Sequence, residues 1–168
     1  MGLDLPYPLK NPLEFFTKEG CNMRIIKIGI DIHGVINKDP EFFSTFTHRL
    51  KDKGHEVHIL TGRELSDELY NRLDGFGIRY NHVFSITSFH KEIGTHISYK
   101  NGDPTQPLIA PTVWDRTKAH YAEYVGLCVH IDDSPIYGRY FADTGTQYLQ
   151  YTPELREFII TLAEVCNL

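Results

Sequence analysis

From Ile25 onward, short apolar runs alternate with amphipathic stretches of helical period, and this alternation restricts the fold more than any other feature of the chain. Such a pattern builds βαβ units, whose crossover helices make the strands of one sheet run parallel. The first strand is expected at Ile25 to Ile30, within "IIKIGIDIHGVI". Asp39 is placed to cap the next helix, with Pro40 at its first position, Phe42, Phe46 and Leu50 on one face, and Gly54 after its last turn. "HEVHIL" reads as a second strand ending at Leu60, Ser66 caps a short helix through Leu73, and "HVFSI" reads as a third strand. Residues 96–110 hold two short extended pieces around Asn101-Gly102, a hairpin signal that predicts a small flap. A helix from about Thr117 to Val125, stopped by Gly126, precedes a fourth strand, "LCVHI", that runs into Asp132-Asp133. A strand at "QYLQY" follows, then a helix capped by Thr152-Pro153 with Leu155, Ile159 and Leu162 on one face.

The chain has 168 residues, 41% of them hydrophobic, which is enough for one domain whose core needs no disulfide or metal staple. Residues 23–168 are expected to form that domain. Residues 1–22 hold three prolines without a clear period and read as a surface extension. Cys21, Cys128 and Cys166 are odd in number and form no CxxC pair, as expected of free thiols in a reducing compartment. No run approaches the roughly 18 apolar residues of a membrane span, and the N-terminus lacks the basic and apolar regions of a signal peptide. Pro6 stands where a myristoylation signal at Gly2 wants Ser or Thr. The expected location is the cytoplasm, with no membrane partner. A formal charge of -5 argues against broad attraction to nucleic acid, although a few residues could still hold phosphate.

Ligands of a parallel sheet bind beyond the C-terminal ends of its strands, where backbone amides and helix N-termini converge. Three strands here end in chemically pointed residues: Asp31, then Thr61 with Gly62, then Asp132 with Asp133. Carboxylates from two strand ends in one crevice repel each other unless a cation lies between them, and hard oxygen ligands favour Mg²⁺. Lys118 could then neutralise a phosphate placed on that cation.

In this order, Asp31 in "GIDIHGVI", Thr61 in "HILTGR", Lys118 in "DRTKAHY" and Asp132-Asp133 in "VHIDDSP" resemble the four motifs of the haloacid dehalogenase superfamily, over about residues 25–151. The resemblance implies a Rossmann-like α/β fold, Mg²⁺, and phosphoryl transfer through an aspartyl-phosphate. It makes Asp31 the nucleophile and a Mg²⁺ ligand, together with the backbone carbonyl of His33. Asp132 would complete the metal site, with Asp133 as ligand or support. Thr61 and the Gly62 amide would hold phosphate oxygens, and Lys118 would offset charge between Asp31 and the phosphate. The chain departs from the pattern at His33, where phosphatases of this family usually carry a second Asp as general acid and base. An imidazole can in principle perform both proton transfers. The expected function is a phosphatase or phosphotransferase; the alternative is a catalytically impaired relative retained for binding or regulation.

Other residues carry weaker signals. His55 and His58 are three apart on a strand and so face opposite sides, and His82, His90 and His96 follow no ligand-like rhythm; all five read as structural or surface residues rather than zinc ligands. Trp114, Asp115 and Arg116 precede Lys118 and could line the pocket, with Arg63 and Arg116 as phosphate contacts, although packing and solvation are the expected roles. Only one helix and one strand separate the first two motifs, so no domain-sized cap fits there. The site is expected to be open to a phosphorylated small molecule or macromolecule unless a homo-oligomer or the N-terminal extension covers it.

Overall fold

A computed structural model describes residues 25–103 and 105–165, with side chains through residue 161, and the proposed extension at residues 1–22 lies outside these. Five strands form one wholly parallel sheet: β1 (Lys27–Asp31), β2 (Glu56–Thr61), β3 (His82–Ser85), β6 (Val129–Asp132) and β7 (Gln147–Gln150), in the order β3-β2-β1-β6-β7. The helices are α1 (Pro40–Asp52), α2 (Asp67–Gly75), α3 (Ile86–Glu92), α4 (Pro111–Val125), α5 (Pro135–Phe141) and α6 (Pro153–Val165). The fold is α/β and Rossmann-like. A two-stranded antiparallel hairpin, β4 (Ser98–Tyr99) and β5 (Pro107–Leu108), forms the expected flap. Among the described residues, no helix is long and apolar enough to cross a membrane.

Capping explains several boundaries. Phe42 N donates to Asp39 Oδ1 with Pro40 at N1, and Leu69 N donates to Ser66 Oγ, so both expected caps form. Leu155 N likewise donates to Thr152 Oγ1 at the start of α6. The structure differs from the sequence reading in several places. The first strand starts at Lys27, two residues later than expected, and includes Asp31. On α1 the deepest side chain is Phe43, with Phe42 and Phe46 packed beside it. Helix α4 begins at Pro111 rather than near Thr117, so Trp114 and Arg116 are helical and Lys118 sits mid-helix. Helices α3 and α5 were not expected; Ser85 and Ser134 cap them, accepting from Ser88 N and Ile136 N.

Strand alternation divides the sheet into two unlike faces. One presents Ile28, Ile30, Val57, Ile59 and Ile131 to Phe43 and Leu50 of α1, Leu69 and Leu73 of α2, and Ile159 of α6. The other carries Gly29, Asp31, His58, Leu60, His130 and Asp132 at the alternate positions. On this second side Leu60 packs with Ala119 and Ala122 of α4 and Phe141 of α5.

Candidate active site

Asp31 and Asp132 end the neighbouring central strands β1 and β6, and both are buried. Lys118 reaches them from α4. Its Nζ donates to Asp31 Oδ1 and to Asp132 Oδ2, each at 2.6 Å, and it also lies 4.6 Å from the centre of the Tyr137 ring. A lysine with 1% exposure keeps its charge only because two carboxylates and an aromatic face replace the lost water. Burial alone would lower its pKa, but Asp31 and Asp132 outweigh burial and raise it. Burial pushes Asp31 up to about 6, against the pull of Lys118 and with the help of Asp132. Asp132 goes the other way: burial opposes ionisation, but the hydrogen bond from His130 and the Lys118 charge bring it down to about 2.

His130 was not recognised as a site residue in the sequence. It precedes Asp132 by two positions and therefore shares its face, with Nε2 3.2 Å from Asp132 Oδ2 and its ring stacked on Phe141 at 5.1 Å. The period-two spacing in "VHIDD" was the available signal. Gly29 makes room for this ring, since a Cβ there would come within 2.8 Å of His130 Nδ1.

Asp133 directly follows β6 and packs against the loop after β1. Gly34 has a φ of +79°, and a Cβ on it would lie 2.0 Å from Asp133 Oδ2, so this turn needs glycine on both counts. Gly34 N donates to Asn37 Oδ1 at 2.7 Å and fixes the turn. Carboxylate oxygens of Asp31, Asp132 and Asp133 all lie within 4.8 Å of one another. Three carboxylates against one ammonium leave an excess of negative charge, and the donors are all hard oxygens. This set fits a divalent cation such as Mg²⁺ by charge and by chemistry.

These groups open into a crevice of about 330 Å³ also lined by His33, Gly62, Arg63, Trp114 and Tyr137. Thr105 and Pro107 of the hairpin line it too, which puts the flap at the crevice wall as expected. Trp114 Nε1 donates to Tyr137 OH at 2.9 Å, holding two aromatic walls together. His33 lines both this crevice and a smaller cavity of about 40 Å³ beside Arg63 and Arg72. Its Nε2 is buried with no hydrogen-bond partner among the described residues. Burial, then Arg63, Arg72 and Lys118, lower its pKa.

The structure thus gathers Asp31, His33, Gly62, Lys118, Asp132 and Asp133 at one crevice. Thr61 is placed differently: it is fully buried, and its Oγ1 accepts from Arg63 N at 3.2 Å, so its hydroxyl shapes the loop that carries Gly62 and Arg63. Arg116 packs on the Tyr140 ring at 5.7 Å.

No protein-family model matches the chain, and no curated protein matches it. A crystal structure of an uncharacterized protein from Corynebacterium glutamicum ATCC 13032 Kitasato is similar, with a TM-score of 0.54 and 17% sequence identity over 83% of this chain and 94% of that one. At this identity the likeness concerns the fold, and it agrees with the Rossmann-like architecture.

Proposed function

We propose that the chain is a cytoplasmic, Mg²⁺-dependent phosphatase or phosphotransferase of the haloacid dehalogenase type, acting through an aspartyl-phosphate on Asp31. The observation that carries this reading is the buried Lys118 bridge, which draws the ends of β1 and β6 together and places Asp31 beside two further carboxylates. Carboxylates of Asp31, Asp132 and Asp133 would hold the cation, as would the His33 carbonyl in the family pattern. When bound, Mg²⁺ would supply a Lewis acid that screens the carboxylates from the incoming phosphate.

The protein's own groups account for the remaining work. A free Asp31 oxygen attacks phosphorus, the ester oxygen departs with the bonding pair, and the phosphoryl group becomes an acyl phosphate on Asp31. Lys118 offsets the charge that accumulates between Asp31 and the phosphoryl oxygens, and the Gly62 and Arg63 segment faces them from β2. Water, or a second acceptor in a phosphotransferase, then attacks phosphorus, and the P–O bond to Asp31 breaks to restore the carboxylate. His33 is the imidazole available at the crevice to give a proton to the leaving oxygen and take one from water. His130 positions Asp132 from behind and touches no reacting atom. The substrate is a phosphate monoester whose leaving group projects past Thr105 and Pro107.

The test is a screen of phosphorylated metabolites with Mg²⁺, run beside Asp31→Asn. Mg²⁺-dependent release of phosphate by the wild type, with loss of roughly 10³-fold or more in the variant, is the expected result. Equal phosphate release by both proteins would remove Asp31 from the chemistry. A stable wild type that binds phosphate esters without turning over any of them would favour the impaired relative.

A further inference from the structure

At the other end of the face that carries Asp31, strand pairing assembles a second constellation. His58 on β2 is in register with His82 on the edge strand β3, and Glu56 lies two residues before His58. All three side chains therefore leave the same face. The two rings stand 4.7 Å apart, His58 Nε2 is 3.4 Å from Glu56 Oε2, and ligating atoms of all three residues lie within 4.8 Å of one another. The sequence rhythm concealed this because the two histidines belong to different strands, 24 positions apart by residue number (82 minus 58).

We propose that Glu56, His58 and His82 form a binding site for a zinc-class divalent ion, separate from the carboxylate crevice. Two imidazoles and one carboxylate suit Zn²⁺ rather than Mg²⁺, and such three-ligand sets keep a further position for water. The surroundings supply what a ligating histidine needs. His58 is buried, and its Nδ1 lies 2.8 Å from Tyr121 OH on α4. With Nδ1–H donating to that phenol oxygen, the lone pair is on Nε2, the nitrogen that faces Glu56. His82 is exposed and Glu56 partly exposed, so both are free to turn the short distance that bonds of about 2.0–2.2 Å require. Lys27 Nζ, 3.4 Å from Glu56 Oε2, occupies the ion's side of the carboxylate and would swing outward into solvent on binding. A bound ion would tie the edge strand β3 to β2.

The test uses the full chain, stripped with chelator and titrated calorimetrically with Zn²⁺ in excess Mg²⁺, which keeps the carboxylate crevice occupied. One zinc per chain in the micromolar range or tighter is expected, with a zinc-dependent rise in Tm. His82→Ala and Glu56→Gln should each weaken binding at least about tenfold and abolish the Tm rise, while their zinc-free Tm stays close to that of the wild type. Asp133→Asn should bind zinc as the wild type does. Co²⁺ added to the wild type should show the intense visible bands of a low-coordinate site, absent in His82→Ala. Zinc binding unchanged in His82→Ala, or no zinc binding by the wild type, would overturn the site.

Discussion

The two faces of the sheet are built from the same strands and do different work. Odd positions of β1 bring Gly29 and Asp31 to one side, while Ile28 and Ile30 point to the other, and β6 repeats the split with His130 and Asp132 against Ile131. On the apolar side, fully buried Ile30, Val57, Ile59 and Phe43 meet without a polar atom to satisfy. On the polar side the buried groups include a lysine, two aspartates and two histidines, each of which holds its place through a named partner. The first arrangement stabilises through area removed from water and tolerates changes that keep volume. The second stabilises little on balance, because desolvation offsets most of the Coulomb gain, and it is sensitive to the loss of any one member. Under the proposed function, that face carries the chemistry.

The strongest way to break this contrast is a pair of substitutions, one per face. Lys118→Met leaves two buried carboxylates without their cation and should cost about 3–5 kcal/mol in urea unfolding, with turnover lost as well. Phe43→Ala should also cost about 3–5 kcal/mol through the cavity left among Phe42, Phe46 and Tyr151, yet kcat per folded molecule should be unchanged. The contrast fails if Phe43→Ala lowers kcat as much as Lys118→Met does.

A smaller effect concerns pH. His90 is buried between α3 and α4, with Nδ1 2.9 Å from Thr95 Oγ1 and Nε2 2.8 Å from Thr117 Oγ1, and burial lowers its pKa. The folded state therefore binds a proton less readily than the unfolded chain. The stability that neutral His90 contributes is complete above about pH 6.5 and is lost as pH falls from there toward the folded pKa, by up to about 1.4 kcal/mol per pH unit. His90→Gln should flatten the pH dependence of Tm in that window. An equally steep profile in the variant would assign the slope to other groups.

Smallest is the exposed pair Arg79 Nη1 to Asp52 Oδ1, 2.9 Å apart at the end of α1. Asp52→Asn should cost about 0.2–1 kcal/mol at low salt and less at high salt. A larger, salt-independent loss would mean that ion pairs outside the polar face also matter to this fold.

Much of this organisation was legible in the sequence. The parallel sheet followed from alternating periods, and the crevice followed from strands that end in Asp31 and Asp132, because a strand's C-terminal end is defined by chain direction alone. What stayed hidden depends on partners that one segment does not name. Pro111 to Arg116 reads as a loop after the proline-containing flap, yet Pro111 is the first residue of α4 and Lys118 lies well inside the helix. Helix α3 spans only Ile86–Glu92 and opens with Ile-Thr, residues that resemble a continuation of β3; the Ser85 cap ends the strand instead. The meeting of His58 with His82 requires the β2–β3 register. Thr61 had the right type for a phosphate contact, but it is fully buried behind the crevice wall, and its Oγ1 accepts from Arg63 N.

The central claim is that Asp31 carries the phosphoryl group during turnover, and it is tested most directly by trapping that group. The wild type, mixed with an ester that the metabolite screen identifies as a substrate and Mg²⁺, is quenched in acid within a single turnover. The peptide containing Asp31 is then mapped by mass spectrometry after borohydride reduction. The account predicts one phosphoryl group per labelled chain before reduction, and conversion of Asp31 alone to homoserine after it. Phosphate release with no labelled chain at any quench time, or reduction of a carboxylate other than that of Asp31, would contradict it.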